Sequence, residues 1–541
     1  MIFVLVASLA LLIVYIKLFL TPLVPSDKPI SIAVLPFENR SGNASDKYIA
    51  DGITDDIINR LTLSGKLMVR SRNSTQQFAG QTVVYDVITS TLQVSYVVKG
   101  SVQRSGDEIL VTAQLLDGRG NYLWGDTFKH TSANIILVQS EIARKIVQQL
   151  KIKLNELEMN ELNEQPTESA TAYDCYLRGR SLYYKYKASA NDSAITQFRC
   201  AIDLDPNYAR AWAGLGDALS QKHGRFGQEY FWTDSGLVAS QKAIDLDSGL
   251  SEGYKAKAVA YSYRKEYNKA IPLLLKAVSI SPTYVQAVGN LGTNYFLLRD
   301  LPNAIKWEVI CAGQDPSNWV PYQITGWTYR LLGDLQEAES WLTQSLAKPK
   351  GKQYDTYEHL AYTYVAQGRK KQALSLIDEL LKGNEDDSRA LETAGLVAHF
   401  AGDTKAAENF FVKSINKNAN YKDDLNTHSP VGLGQILLDA GNKVGAEVYL
   451  SHALYNLNAE LQNGSQSSEL PYYIAAIHAI RGNRDQALAW LQKAVDRKWA
   501  DHAMIEFGPY FATYRADPAF VKMVQLLKVK TEEMRVQAKP H

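Results

Sequence analysis

The sequence predicts a multidomain protein with an N-terminal transmembrane helix, a small α/β domain and an all-α solenoid of helical repeats. Three observations predict this architecture: an apolar run at residues 2–20, alternating strand-like and helix-like stretches from 30 to 153, and a 34-residue pattern beyond residue 172. At 541 residues the chain is longer than one core usually supports. The expected segments are a membrane anchor at 1–24, the α/β domain at 30–153, a linker at 154–171, the repeats at 172–498, and a capping helix with a tail at 499–541.

Composition narrows the class of function. Hydrophobic residues make up 46% of the chain, which excludes a largely disordered protein. The 58 Lys and Arg residues nearly balance the 57 Asp and Glu residues, and no dense basic run is present. The electrostatic field that attracts nucleic acid is therefore missing, and we expect no nucleic-acid partner for this chain.

The N-terminal run reads IFVLVASLALLIVYIKLFL, with Lys17 as its only charge. As a helix it would span roughly 28 Å, close to the hydrocarbon thickness of a bilayer. A cleaved signal peptide has a basic segment before its apolar run and small residues at the cleavage site. Here the run begins at residue 2 and LTPLVPSD follows it, which favours an uncleaved anchor. Such an early start also suggests that a cytoplasmic segment precedes the run.

The side of the membrane is less well determined by the flanking charges. Few charged residues flank the span. Lys17 on its C-terminal side by itself favours an orientation with the rest of the chain in the cytoplasm. We nevertheless expect a single-pass protein of the bacterial inner membrane with most of the chain in the periplasm.

The three cysteines, Cys175, Cys200 and Cys311, cannot form a disulfide framework. Cys175 and Cys200 are expected on the two helices of one repeat, where a single bridge is conceivable. The preferred interpretation is that both are small apolar fillers of a helix interface.

The α/β domain is predicted from alternating periodicities. Strand-like runs and helical spacings follow one another, with turn residues at 104–107 and 117–121 that favour an antiparallel meander. The predicted strands are 31–37, 67–72, 96–103, 108–116 and 122–130, and the predicted helices are 48–63, 83–92 and 133–154.

Several separated blocks of this domain resemble a known family. The strings IAVLPFENRSG, YIADGITDDIINRL and VVKGSVQRSGDEILVTAQLLDGRGNYLWGDTF are similar to the TolB amino-terminal-like domain over residues 31–130. In bacteria such domains often accompany tetratricopeptide repeats in CadC-type membrane-bound transcription regulators and some adenylyl cyclases. The resemblance implies an accessory domain outside the cytoplasm without known catalysis. A winged helix or nucleotidyl cyclase domain is not found in this chain.

Asp51, Asp55 and Asp56 form an acidic cluster in the first predicted helix. Asp51 and Asp55 are one turn apart, but no histidine or further carboxylate follows at ligand spacing. Acidic residues at a helix start usually complement the helix dipole and are solvated. We therefore expect no metal site here.

A 34-residue register begins again at Ser251, Val285 and Trp319. Small residues recur at positions 8 and 20, and bulky residues at positions 4, 11 and 24. Position 8, for example, holds Ala258, Gly292 and Gly326. The pattern resembles the tetratricopeptide repeat, in which small residues let two helices of a hairpin approach and bulky residues fill the seam.

The register extends in both directions to about nine repeats between 172 and 498. The second repeat contains an inserted stretch of eight residues around HGRFGQEY. A single hairpin cannot bury its own apolar face, so neighbouring repeats must stack into a superhelix. The segment DPAFVKMVQLLK should cap the last open face, and the final KTEEMRVQAKPH should fray.

The resemblance also implies which residues line the concave surface. The inward positions of the first helices in successive repeats, together with one amide at position 6, give the candidate peptide-binding groove: Lys255, Tyr263, Asn290, Gln323, Trp327, Arg330, Glu358 and Tyr362. Aromatic, amide and arginine side chains are typical of recognition surfaces. An alternative for each of them is packing on the groove floor. The carboxylate clamp of the family is incomplete, because Val259, Val320 and Ile324 replace its polar residues.

No catalytic constellation is present: the phosphate loop, HExxH, GxSxG and paired CxxC motifs are all missing. We expect no enzyme activity, no catalytic residues and no cofactor. Two functions remain. One is a membrane-tethered scaffold whose groove binds a protein or peptide. The other is the sensory half of a one-component transcription regulator or adenylyl cyclase whose effector is absent from this chain.

Overall fold

The structure is a computed structural model that describes residues 30–63, 65–81, 84–163, 165–348, 353–418, 428–462, 465 and 467–538. The predicted anchor at 1–24 lies outside these residues. Among the helices that are described, none combines the length and the apolarity needed to cross a bilayer. The chain divides into two compact units, Met1–Gln165 and Pro166–His541, and the division falls inside the predicted linker.

The first unit is built on a six-stranded sheet with the order β3-β1-β4-β5-β6, and β2 pairs with β4. β1 runs parallel to β3 and β4, whereas β4, β5 and β6 form the predicted antiparallel meander. The strands are β1 (Ile30–Val34), β2 (Glu38–Asn39), β3 (Leu67–Val69), β4 (Tyr96–Ser105), β5 (Glu108–Asp117) and β6 (Tyr122–Thr131). The helices are α1 (Lys47–Leu63), α2 (Arg72–Gln76), α3 (Tyr85–Leu92), α4 (Ile135–Gln149) and α5 (Glu156–Asn163).

Alternation along the strands decides which face each helix covers. Ala33 of β1 packs with Ile88 and Leu92 of α3, while its neighbours Ile32 and Val34 point to the opposite face. α1 and α4 pack together. α1 contacts strands β1 to β4, and α4 contacts β5 and β6. At Gly100 a Cβ atom would lie 2.4 Å from the Phe37 ring, so only glycine allows this approach.

The segment predicted as a linker contains a helix that belongs to the first unit. Arg60 of α1 is fully buried and donates a hydrogen bond of 2.7 Å to the carbonyl of Leu162 in α5. The acidic cluster also differs from expectation, because Asp51 and Asp55 are buried and form ion pairs with Arg72. These carboxylates hold α2 against α1 and are not solvated.

Within the described residues, the second unit begins with nine helical pairs joined by short turns. The pairs, in order from repeat 1, are α6 and α7 (Ala170–Tyr183, Ala188–Leu204), α8 and α9 (Ala209–Gly224, Phe231–Leu246), α10 and α11 (Ser251–Tyr263, Tyr267–Ile280), α12 and α13 (Val285–Leu297, Leu301–Gln314), α14 and α15 (Trp319–Leu331, Leu335–Leu346), α16 and α17 (Tyr354–Ala366, Lys370–Leu381), α18 and α19 (Ser388–Ala401, Thr404–Lys417), α20 and α21 (His428–Asp439, Lys443–Gln462), and α22 and α23 (Glu469–Ile480, Arg484–Asp496). Two helices follow them, α24 (His502–Phe507) and α25 (Pro518–Ala538).

The seam of each hairpin shows why the register repeats. A Cβ atom at Gly395 would lie 2.5 Å from the Phe411 ring, and one at Gly326 would lie 2.7 Å from Leu342. Position 8 must therefore stay small because position 24 of the facing helix fills the space. Because this seam recurs in successive hairpins, the second unit is a tetratricopeptide-repeat solenoid.

Repeat 1 is also cross-linked, contrary to the interpretation preferred from the sequence. Cys175 and Cys200 form a disulfide with Cα atoms 5.9 Å apart. The interpretation of both residues as separate apolar fillers was therefore wrong. Cys311 is a free, buried thiol that packs with Val285 and Val288.

Removal of the disulfide should destabilise repeat 1. Closure of a loop across a separation of 25 residues is worth roughly 3 kcal/mol in the chain-entropy model. We expect the Cys175→Ser, Cys200→Ser variant to lose about this much free energy of unfolding in urea titrations. Reductant should reproduce the loss in the parent protein and add nothing in the variant. Detection of three free thiols in the oxidised, denatured protein would contradict the bridge.

Glu308 occupies position 24 of repeat 4, where neighbouring repeats carry leucine, and burial raises the pKa of its carboxyl to about 8. The unfolded carboxyl titrates near 4.5, so the folded protein binds one more proton between these values and stability falls as pH rises. We expect the stability advantage of Glu308→Gln over the parent to grow by about 1.4 kcal/mol per pH unit from pH 5 to 7.5. Urea denaturation measures it, with the exposed Glu408→Gln as control. A pH-independent difference would contradict the assignment.

Candidate binding site of the repeats

The eight predicted groove residues do not form one open surface. Lys255 is buried in an ion pair with Asp217 of repeat 2, where it joins two repeats. Tyr263 and Asn290 are half-buried, and Gln323 is buried. These four residues lie outside the cavity described next. Lys255 and Gln323 are buried, as expected for residues that pack on the groove floor.

The other four predicted residues meet at one cavity of about 140 Å³ in the C-terminal part of the solenoid. Trp327 and Arg330 come from repeat 5, and Glu358 and Tyr362 come from repeat 6. The remaining lining residues are Arg299, Leu331, Asp355, His359, Arg389, His428, Glu469, Tyr473, Trp499, Ala500, Asp501 and Met504. First helices of repeats 5 to 9 thus converge on a single cavity.

The segment after repeat 9 forms one wall of this cavity. Asp501 forms an ion pair of 2.6 Å with Arg330, and both side chains are at most 4% exposed. Asp501 also caps α24, because its carboxylate accepts a hydrogen bond from the backbone N–H of Met504. Trp499 stacks on Tyr472 with ring centroids 4.3 Å apart. A groove that was expected to be open is therefore covered by the protein's own chain.

The C-terminal helix extends this contact and corrects the predicted tail. α25 continues to Ala538, and Thr531 within it is buried. Met534 and Ala538 pack against a cluster that includes Leu301 and Leu332 of repeats 4 and 5. The expectation that residues from 530 onward fray was wrong as far as Ala538. α25 contacts repeat 9 but does not only cap it, since it also reaches repeat 4.

Three equivalent turns, in repeats 3, 4 and 5, contact the C-terminal part of the chain, from repeat 8 onward. They centre on Lys265, Arg299 and Gly333, which are 34 residues apart and all adopt positive φ. Lys265 lies 3.9 Å from Glu460, and Arg299 lies 3.2 Å from Glu469. A Cβ atom at Gly333 would lie 2.8 Å from His502. The turns of successive repeats thus contact successive points of the C-terminal chain.

Burial shifts the pKa values inside the cavity. Desolvation raises the pKa of Glu358, and the positive charge of Arg389 only partly opposes this shift. Desolvation also lowers the pKa of His359 well below its usual value, and Arg330 and Arg389 lower it further. His359 is therefore a neutral imidazole that stacks on Trp327 with ring centroids 4.0 Å apart.

A second, exposed surface lies on repeats 1 to 3 and was not among the predicted sites. We call it the aromatic patch, and it consists of Tyr186, Arg225, Tyr230, Phe231, Trp232 and Arg264. The inserted stretch of repeat 2 supplies Arg225 and Tyr230. Arg225 lies over the Tyr186 ring at 4.6 Å and Arg264 over the Tyr230 ring at 4.9 Å. The insertion was the only sequence signal for this surface.

The comparisons with known proteins cover parts of the chain. A family model described as "HilA/YgeH-like transcriptional regulator, second domain" matches residues 27–152. This match does not confirm the TolB-like resemblance of the same region. A curated relative, "Putative adenylate cyclase 3" of Rhizobium meliloti (strain 1021), is 33% identical over 246 residues, which is 44% of this chain. The chain spans 41% of that relative.

Solved structures of repeat proteins are similar to parts of this chain. "YrrB: a TPR protein with an unusual peptide-binding site" is 20% identical with a TM-score of 0.30, covering 36% of this chain and 95% of its own. "PilW, widely conserved type IV pilus biogenesis factor" is 18% identical with a TM-score of 0.33, covering 38% and 93%. A tetratricopeptide repeat protein from Parabacteroides merdae is 14% identical with a TM-score of 0.37, covering 49% and 99%.

Loss of the Arg330–Asp501 ion pair should release the C-terminal chain. Asp501→Asn leaves a buried arginine without its counter-charge, which typically costs about 3–5 kcal/mol. We expect hydrogen exchange in α24 and α25 to accelerate while exchange in repeats 1 to 3 stays unchanged. The control is Asp386→Asn, because Asp386 pairs with Lys417 on the exposed surface. Unchanged protection of α25 in Asp501→Asn would show that the pair does not hold the closure.

Proposed function

We propose that this protein is an interaction scaffold that binds a protein partner through the aromatic patch on repeats 1 to 3. The observation that carries the proposal is the exposure of large aromatic side chains beside arginine. Tyr186 is 38% exposed, Tyr230 47% and Phe231 51%. Tyr, Trp and Arg dominate the binding energy of protein interfaces, because they combine large contact area with polar groups.

The geometry favours the patch over the predicted groove as the main contact surface. The groove of repeats 5 and 6 narrows to a cavity of about 140 Å³. A space of this size holds a ligand of about six non-hydrogen atoms, which is less than an extended peptide requires. In contrast, the patch is open to solvent. The rings of Tyr186 and Tyr230 are each covered on one face by an arginine, Arg225 or Arg264, so less freedom of these two side chains is lost on binding.

We also propose that the scaffold is held at the bacterial inner membrane by residues 1–24, with the repeats in the periplasm. The apolar run of the sequence supports the anchor. The Cys175–Cys200 disulfide supports an oxidising compartment, because structural disulfides are rare in the bacterial cytosol. Reporter fusions placed after residue 30 and at the C-terminus distinguish this orientation from the opposite one.

A second candidate function is the sensory half of a one-component regulator or adenylyl cyclase. It is favoured by the HilA-like match at residues 27–152 and by the partial similarity to a relative named as a putative adenylate cyclase. The two functions differ in what lies beside this chain. A coding sequence for a winged helix or cyclase domain directly upstream of Met1 would favour the sensory function, and its absence would count against it.

Truncation of the patch should weaken partner capture. We expect the Tyr230→Ala, Phe231→Ala variant to lose at least tenfold in the yield of partner that is crosslinked in membranes and identified by mass spectrometry, since each hot-spot residue contributes more than about 1 kcal/mol. The matched control is Val448→Ala with Tyr455→Ala, an exposed apolar and aromatic pair on repeat 8. Equal yields from both variants would argue against the patch.

A further inference from the structure

The cavity at repeats 5 to 9 contains more negative than positive charge. Arg330 is matched by Asp501 at 2.6 Å, and Arg299 is matched by Glu469 at 3.2 Å. Arg389 faces the two remaining carboxyl groups of the lining, Asp355 at 2.9 Å and Glu358 at 3.9 Å, and also pairs at 2.6 Å with Glu392, which does not line the cavity. Among the lining residues, the four carboxyl groups of Asp355, Glu358, Glu469 and Asp501 therefore outnumber the three guanidinium groups by one.

Polar groups in the cavity also lack hydrogen-bond partners. In the part of the chain that the structure describes, both ring nitrogens of His359 and the hydroxyl of Tyr362 are without a partner, although the residues are at most 6% exposed. Over the same described residues, no hydrogen bond reaches the carboxylate of Glu358, which is also 6% exposed. Buried polar groups are normally satisfied by protein, water or ligand, so three such groups around one cavity provide a place where a polar ligand can be bound.

The walls of the cavity suit a cation. Trp327, Tyr362, Tyr473 and Trp499 line it with aromatic rings, and the faces of such rings attract cationic groups. An anionic ligand would meet the excess of carboxylates. An apolar ligand would leave Glu358 and His359 without hydrogen bonds. A donor-rich cation satisfies the charge, the acceptors and the rings together.

The cavity can be entered from solvent. At its rim, the side chains of Asp355, Glu469 and Arg389 are 50%, 43% and 39% exposed. At its floor, the side chains of Glu358 and Asp501 are 8% and 2% exposed. The acidic groups therefore continue from an exposed rim to a buried floor, and a narrow side chain can follow this path.

We propose that this cavity is a binding site for an alkylammonium group, with Glu358 as its counter-ion and His359 and Tyr362 as further hydrogen-bond partners. The ammonium is either the end of a lysine side chain on a polypeptide or a small free amine. The cavity volume accommodates about six non-hydrogen atoms, and a lysine side chain has five. This site goes beyond the partner surface proposed above and lies on different repeats.

The test measures binding of defined probes to the full chain by isothermal titration calorimetry. The ammonium probes are n-butylamine and Nα-acetyl-lysine methylamide. The matched neutral and anionic probes are Nα-acetyl-norleucine methylamide and butyrate. We expect both ammonium probes to bind and the other two to bind at least tenfold more weakly. Binding of n-butylamine alone supports the site and assigns it to a free amine, whereas binding of the lysine probe alone assigns it to a side chain.

Variants test the residues. Glu358→Gln keeps the shape and should reduce ammonium affinity at least tenfold, while the exposed Glu408→Gln should leave it unchanged. If Glu358→Gln does not fold, Tyr362→Phe removes only a hydroxyl and should reduce affinity at least threefold. The Tyr230→Ala, Phe231→Ala variant should bind the amines normally, which separates this site from the partner surface. Failure of both ammonium probes to bind, equal binding of the norleucine probe, or full affinity in Glu358→Gln and Tyr362→Phe would overturn the proposal.

Discussion

Close approach of two helices at one point per hairpin governs the second unit. The bulky residue at position 24 fills the space that glycine or alanine leaves at position 8 of the facing helix, as Phe411 does against Gly395. A larger residue at position 8 would separate the helices and expose the seam to water. Because each hairpin is shaped in this way, it can stack on its neighbours, and the nine described pairs follow one another as a solenoid.

The same repetition brings the chain back onto itself. A small rotation from each repeat to the next curves a solenoid, so distant repeats can approach one another on its inner face. Here the approach ends in contact, and Arg330 meets Asp501 in a buried ion pair. Two buried charges are costly unless they are paired and hydrogen-bonded. The pair therefore selects one closed arrangement of the inner face, and it leaves a small polar cavity where an open groove was expected.

How much of the fold and of the cavity could be predicted depends on how far apart in the sequence the interacting residues are. The repeat register is visible in the sequence because each seam joins residues 16 apart, such as Gly326 and Leu342, and the same offsets recur. The meander of the first unit is visible because turns such as residues 117–121 lie between its strands. Only four of the sixteen residues that line the cavity were predicted. Trp327, Arg330, Glu358 and Tyr362 follow from position in the repeat, but Trp499 and Asp501 come from a segment outside the register. No local pattern indicates that this segment turns inward.

One local signal does indicate which repeats make unusual contacts. The turn between the two helices of a repeat requires positive φ, and repeats 5 to 9 place glycine there, as at Gly333, Gly368 and Gly402. Repeats 1, 3 and 4 place Tyr186, Lys265 and Arg299 in the same conformation, where a side chain costs about 1 kcal/mol relative to glycine. Each of the three side chains contacts a distant partner: Arg225 lies over Tyr186, Glu460 pairs with Lys265, and Glu469 pairs with Arg299. The three turns that carry a side chain where other repeats have glycine thus lie at the two surfaces for which binding is proposed. These surfaces are the aromatic patch and the inner face.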